Sequence, residues 1–175
     1  MSNLPIFQFS LREDIKDEKK FLPTRAEGSA TGYDVRAALS NRKDVVLRPG
    51  HYAKIPLGFR AFCPPGWWYQ LVPRSSSFAK KSLHALYGTI DEGYENELVF
   101  ACQYLPDITS LGNDLVIKFG EAIGQIIPVR RIEMVVEEVS NSEYDLLCAK
   151  RDGARKTGGF GSSDRAGFYK TGGDK

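Results

Sequence analysis

Five short phrases in this chain of 175 residues carry side chains suited to a phosphorylated ligand. In "ATGYDVRAA" (30–38), Asp34 is a single carboxylate among small and apolar residues. It could hold a hydrated magnesium ion, which keeps most of its waters, or make a local hydrogen bond at a strand edge. In "PRSSSFAKK", from Pro73, Arg74 precedes three hydroxyls at the start of a short helix. That pattern suits an oxyanion at a helix N-terminus, and equally a serine cap beside a surface arginine. In "YGTIDEGYENELVF" (87–100), Asp91 follows an apolar run and precedes Glu92-Gly93 and Tyr94. A carboxylate on the rim of a bulged β-hairpin could act as a general base, or simply form the turn. In "GEAIGQIIPV" (120–129), Gln125 interrupts an apolar strand, so its amide needs partners if buried. In "ARKTGGFGSSD" (154–164), glycine amides and the hydroxyls of Ser162 and Ser163 could surround phosphates. Arg155 and Lys156 add charge, and Phe160 offers one flat face for a base; base-on-aromatic stacking is worth about 1–3 kcal/mol.

The elements that must position these groups read as short strands separated by turns. "DVVLRPGHYAKIPLGFRAF" turns at Pro49-Gly50. In "WWYQLV", Trp67, Tyr69 and Leu71 face one way and Trp68, Gln70 and Val72 the other. "DLVIKFGEAIGQIIPVRRIEMVVEEV" supplies two more strands around Gly120. The one helical pattern is "SSSFAKKSLHAL", with Ser76 or Ser77 as cap. The chain is therefore expected to be all-β, a sandwich or barrel with one short helix. From Ala154 onward the chain is glycine-rich and almost free of aliphatic residues, which is the composition of a flexible tail.

Composition narrows the chemistry. Hydrophobic residues make up 42% and charged residues 26%, and the formal net charge is +2. That charge is too small to argue for a nucleic-acid surface. No window has the roughly 18 apolar residues of a membrane span, and the N-terminus lacks a signal-peptide pattern. A cytoplasmic or otherwise intracellular protein, without membrane or direct nucleic-acid binding, is expected. Cys63, Cys102 and Cys148 are far apart and odd in number, so buried reduced thiols are expected. With only His51 and His84, a catalytic metal would need oxygen ligands, which favours magnesium over zinc.

In order and spacing, "ATGYDV", "PRSS", "GTIDEGYENEL", "GEAIGQII" and "RKTGGFGSS" together resemble the five motifs of the trimeric dUTPase family, across about residues 26–164. The resemblance implies a jelly-roll-like β-barrel of β-clip type (1–153) and a flexible C-terminal arm (154–175) that closes a neighbouring active site in a homotrimer. It implies hydrolysis of dUTP to dUMP and pyrophosphate, limiting uracil in DNA and supplying dUMP for thymidylate synthesis. Asp91 would activate water for in-line attack on the α-phosphorus. Mg2+ would bridge the triphosphate, with Asp34 reaching it through water. Arg74, Ser75, Ser76 and Gln125 would bind phosphates, as would Arg155, Gly161, Ser162 and Ser163 of the arm. Phe160 would stack on uracil, and Tyr94 would pack beneath the deoxyribose and exclude ribose. Backbone around a hairpin from Ala85 to Ile90, including Leu86 and Gly88, would read the uracil edge.

Some positions depart from that pattern. Ser76 and Asn96 stand where glycine is usual, Ala122 where arginine is common, and Lys156 where glycine is frequent. The stretch from Arg74 to Asp91 is about two residues short, and "RAGFYKTGGDK" beyond Asp164 matches no motif. The related dCTP deaminases share the fold but need a glutamate about ten residues after the aspartate, where this chain has Ala101. A nucleotide sensor would retain the same binding residues without turnover, and a purely structural β-sandwich leaves the order of the five phrases unexplained.

Overall fold

The computed structural model describes residues 4–107, 109 and 112–151. Eleven strands and two α-helices run in chain order among them. The strands are β1 (Gln8–Leu11), β2 (Tyr33–Arg36), β3 (Val45–Leu47), β4 (Tyr52–Pro56), β5 (Phe59–Phe62), β6 (Trp67–Pro73), β7 (Leu83–Ala85), β8 (Gly88–Ile90), β9 (Val99–Tyr104), β10 (Leu115–Ile117) and β11 (Ala122–Arg130). The helices are α1 (Ser75–Ala79), between β6 and β7, and α2 (Asn141–Ala149). The chain divides into two units, 1–132 and 133–175.

In the first unit all the strand pairings are antiparallel. The strands form four sheets: β2-β11-β6-β8, β4-β9-β7, β1-β5 and β10-β3. Alternation along the strands drives this arrangement. In β5, for example, Phe59 and Ala61 are buried while Arg60 and Phe62 are exposed. Inward residues from the sheets meet in one cluster that includes Val35, Leu47, Ile55, Phe59, Tyr69, Leu71, Leu83, Phe100, Ile117 and Ile123. The expected all-β class is therefore observed. The Pro49-Gly50 turn is present, with Gly50 at φ +80°.

Strand partnership differs from the expectation in two places. The predicted hairpin spanning Asp91 does not form, because β8 pairs with β6 whereas β9 pairs with β4 and β7. The predicted hairpin around residues 85–90 is likewise absent as a ladder: β7 belongs to the β9 sheet and β8 to the β6 sheet. The Leu86-Tyr87 dipeptide is thus a corner at which the chain changes sheets. Its register is held by Leu86 N–H donating to the Ala101 carbonyl at 2.9 Å.

The helices also correct the sequence reading. α1 has Arg74 at its N-cap, and no side chain caps it. Ser77, 2% exposed, instead donates its hydroxyl to the Ile123 carbonyl at 2.6 Å, tying α1 to β11. Ser77→Ala would leave that buried carbonyl without this donor, and is expected to lower stability by about 1–3 kcal/mol. Denaturant melts of the two proteins check it; a loss too small to resolve would show that the hydroxyl does not hold the helix.

β11 ends at Arg130, short of the predicted strand through Val139. Its partner β6 begins at Trp67, opposite Arg130, and the Arg131 N–H closes the pair by donating to the Gly66 carbonyl.

In the second unit, residues 134–139 lie in no strand, and Met134, Val135 and Val136 are 83–95% exposed. A second helix was not expected, yet α2 opens with a full capping box. The Ser140 hydroxyl accepts from Glu143 N–H, and the Glu143 carboxylate accepts from Ser140 N–H at 2.8 Å. Cys63 and Cys102 are buried thiols, both pushed up to about 11 by burial, but Cys148 on α2 is exposed rather than buried.

Candidate functional site

Three adjacent strands build the first group of predicted residues. Asp34 on β2 lies opposite Gln125 on β11, and Gln125 lies opposite Val72 on β6. Two residues beyond Val72, Arg74 reaches back, placing its Nε 3.2 Å from Asp34 Oδ1. The Arg74 guanidinium also donates to the Ala122 carbonyl at 3.4 Å, a long contact. Arg74 remains about one-third exposed and Asp34 16% exposed, so the pair is accessible without being fully solvated. Gly32 explains how Gln125 fits: a Cβ at Gly32 would overlap the Gln125 side-chain oxygen. Ser75 and Ser76 follow in the first turn of α1, exposed and half-buried respectively. The result is one patch with a carboxylate, a guanidinium, a carboxamide and two hydroxyls. Its donors suit phosphate oxygens.

The second group lies on and after β8. Ala85, Gly88 and Ile90 are half-buried, and Leu86 is exposed. Of the backbone donors predicted to read a base edge, Leu86 N–H is already committed to Ala101. Asp91 follows β8 and is exposed. Its carbonyl accepts from Tyr94 N–H at 3.1 Å, which closes a turn. Tyr94 is 36% exposed, and its hydroxyl donates to the Glu97 carbonyl at 3.3 Å.

Two glutamates in this loop, which sequence reasoning read only as turn formers or passed over, anchor it. Glu92 Oε2 accepts from Gly66 N–H and from Arg131 Nη1, both at 2.9 Å. Glu97 Oε1 accepts from Arg12 Nη1 at 2.9 Å and from Gly58 N–H at 3.0 Å. Nothing local in the sequence pairs Arg12 with Glu97, which lie 85 residues apart.

Within one chain Asp91 is displaced along β6 from Arg74. β8 runs antiparallel to β6 with Gly88 opposite Leu71 and Ile90 opposite Tyr69, so Asp91 emerges near Trp68. Arg74 emerges from the other end of β6. Six residues of strand separate Trp68 from Arg74, about 20 Å at the usual rise. An apolar cavity of about 420 Å³, lined by Phe7, Tyr33, Trp67, Tyr69 and Ile126 among others, takes in none of the predicted site residues. Arg155, Phe160, Gly161, Ser162 and Ser163 lie outside the described residues.

The dUTPase family model matches residues 18–164, nearly the whole chain. The chain belongs to the dUTPase family. A deoxyuridine 5'-triphosphate nucleotidohydrolase of Bdellovibrio bacteriovorus is 35% identical over 147 residues, covering 83% of this chain and 89% of its own length. One from Bartonella bacilliformis is 34% identical over 151 residues, covering 81% of each. Among solved structures, the dUTPase of Staphylococcus aureus phage phi11 matches with a TM-score of 0.64 at 22% identity, over 78% of this chain and 97% of its own. The Streptococcus mutans dUTPase matches with a TM-score of 0.62 at 24% identity, over 73% and 98%. These two likenesses extend the dUTPase fold to this chain.

A magnesium ion fits the donor set of the first group. Asp34 offers a hard carboxylate oxygen beside Arg74 and Gln125. Among the described residues no three His, Cys, Asp or Glu side chains gather to cage a metal. One carboxylate suits an ion whose remaining ligands are water and phosphate oxygens. No helix among the described residues is long and apolar enough to cross a membrane.

Proposed function

We propose that this dUTPase hydrolyses dUTP to dUMP and pyrophosphate at a site assembled from neighbouring copies of the chain in a homotrimer. The observation that carries the reaction is the family match over residues 18–164, with Asp91, Tyr94, Arg74 and Gln125 all in their motifs. The separation of the two groups along β6 supports the shared site. Asp91 from one copy faces the phosphates only if Arg74, Ser75, Ser76 and Gln125 come from another. The exposure of Ile132, Met134, Val135 and Val136 also favours assembly, since a cluster of exposed apolar side chains is usually covered.

The Asp91 carboxylate takes a proton from a water molecule positioned in line with the α-phosphorus. A new P–O bond forms from that water, and the bond from the α-phosphorus to the bridging oxygen breaks. Pyrophosphate leaves with the electron pair. This reaction asks the protein for positioning and charge neutralisation rather than covalent help. Arg74 supplies a fixed positive charge and planar donors to the phosphates, while Ser75, Ser76 and Gln125 add neutral donors. Magnesium, when bound near Asp34, adds charge neutralisation on the triphosphate oxygens. A mutant dUTPase of phage phi11 coordinates a structural Mg(II) ion.

Tyr94 lays its partly exposed ring beneath the deoxyribose, where a 2′-hydroxyl would collide. Backbone of Ala85, Leu86, Gly88 and Ile90 lines the base. The arm, residues 154–175, closes over the site from a further copy, with Phe160 stacked on uracil. Arg155, Gly161, Ser162 and Ser163 then lie on the phosphates. The barrel accordingly takes the strand-bearing first unit, residues 1–132, and the arm belongs to the second.

Pyrophosphate release from dUTP, dTTP, dCTP and UTP in parallel, with magnesium and then with a chelator, tests the reading. Release from dUTP alone, lost on chelation, is expected. Ammonia from dCTP would indicate deamination, and dUTP binding without product would indicate a sensor; either result overturns the proposal.

A further inference from the structure

We infer that Arg12 and Glu97 are positioning residues for Tyr94, and through it for the preference for deoxyribose over ribose. The inference rests on the placement of Tyr94 beneath the sugar. The loop between β8 and β9 carries both Asp91 and Tyr94, and residues 93–96 are exposed, so the loop needs fixing from its ends. At the far end the Glu97 carboxylate joins two separate parts of the chain, the Arg12 guanidinium and the Gly58 N–H.

Arg12 is itself held on every side. Its Nε and Nη2 donate to the two Asp14 carboxylate oxygens at 2.7 and 3.0 Å, and Nη2 also donates to the Ala38 carbonyl at 2.8 Å. Its backbone N–H donates to the Gly58 carbonyl at 2.8 Å. Gly58 has φ +75°, and a Cβ there would overlap Ile15 and Ala38, so the turn is locked against the core. Leu98, next to Glu97, exchanges backbone bonds with both neighbours of Gly58: Leu57 N–H donates to the Leu98 carbonyl, and Leu98 N–H to Phe59.

Glu97 is thus fixed in three dimensions by residues remote from the ligand. The Tyr94 hydroxyl donates to the Glu97 carbonyl across a long 3.3 Å. The bidentate fork that Arg12 makes with Asp14 fixes the direction in which its Nη1 meets Glu97. The ring therefore inherits its height and tilt from a guanidinium at the end of β1. A ring that drifts by a fraction of an ångström leaves room for the 2′-hydroxyl, and the site rejects ribose less well.

The test is the ratio of kcat/KM for dUTP over UTP in the assembled protein, measured for Arg12→Ala, Arg12→Lys, Glu97→Gln, Tyr94→Phe and Tyr94→Ala. Arg12→Ala is expected to lower the ratio roughly tenfold, the scale on which small misplacements act, with a larger rise in UTP turnover relative to dUTP than any general loss of activity explains. Glu97→Gln keeps an acceptor for Gly58 but loses the charge; it is expected to act in the same direction, as is Tyr94→Phe, which cuts only the tether. Arg12→Lys is expected to restore part of the ratio. If Arg12→Ala fails to assemble, Glu97→Gln and Tyr94→Phe carry the test. If Tyr94→Ala collapses the ratio while the Arg12 and Glu97 variants stay within twofold of the parent, the sugar reading stands and this inference is overturned. If Tyr94→Ala also leaves the ratio unchanged, the inference falls together with the sugar reading.

Discussion

Asp91→Asn is expected to bind dUTP with little loss and to turn it over about 10²–10⁴-fold more slowly, the usual contribution of a general base. Several features make this substitution a clean one. Asp91 is exposed, and no side-chain hydrogen bond or ion pair to its carboxylate is among those that hold the loop, which hangs instead on Glu92, Glu97 and the Tyr94-to-Asp91 backbone bond. Asparagine preserves shape and the backbone turn but cannot accept a proton from water. The loss should therefore fall on kcat, leaving binding by Arg74, Gln125 and the base contacts in place. Steady-state kinetics beside direct titration with a slowly hydrolysed dUTP analogue separates the two. Near-parental kcat would remove Asp91 as the base. Lost binding with preserved fold would instead make it a ligand contact.

The second large effect concerns two inactive proteins that become active when combined. Arg74→Ala disables the phosphate end and Asp91→Asn the loop end. Each homotrimer alone is expected to be nearly silent. Because the two ends of β6 hold these residues about 20 Å apart in a single chain, the proposed site draws them from different copies. After unfolding together and refolding at equal concentrations, random assembly gives each site a one-in-two chance of an intact Arg74 and an independent one-in-two chance of an intact Asp91. About a quarter of parental activity should return. Mixing folded proteins without exchange should return none, which is the control. Failure to recover after verified co-assembly would put both residues in the same copy and overturn the shared site. The result does not depend on a crystal or on any ligand being visible.

The family was legible in the sequence because the phrases that carry the resemblance are local. Asp34 beside Gly32, Arg74 before three serines, and Asp91 before Tyr94 carry their meaning within a few residues. The all-β class was legible for a similar reason, since turns such as Pro49-Gly50 punctuate short alternating runs. What escaped was whatever depends on distant partners. Residues 85–90 look like one hairpin, but the ladder goes to whichever strand offers the better apolar face, and β7 and β8 find theirs in different sheets. The Arg12–Glu97 pair is invisible for the same reason. Ser77 was misassigned because its hydroxyl has a better use in the core than at a cap. The helix α2 is a different kind of miss: "SNSE" displays a capping box, but it followed a stretch already read as strand and preceded a tail-like composition.

The run from Ile132 to Val136 has one further consequence. It is apolar apart from Glu133, contains no proline, and is rich in β-branched side chains, which is the composition of segments that seed intermolecular pairing. In the proposed trimer a newly made chain carries this sticky stretch until a sister chain covers it. Assembly and aggregation compete for the same surface. The yield of working enzyme becomes a question of timing: slow synthesis in a dilute cell and fast synthesis in a crowded one should give different soluble fractions from the same gene.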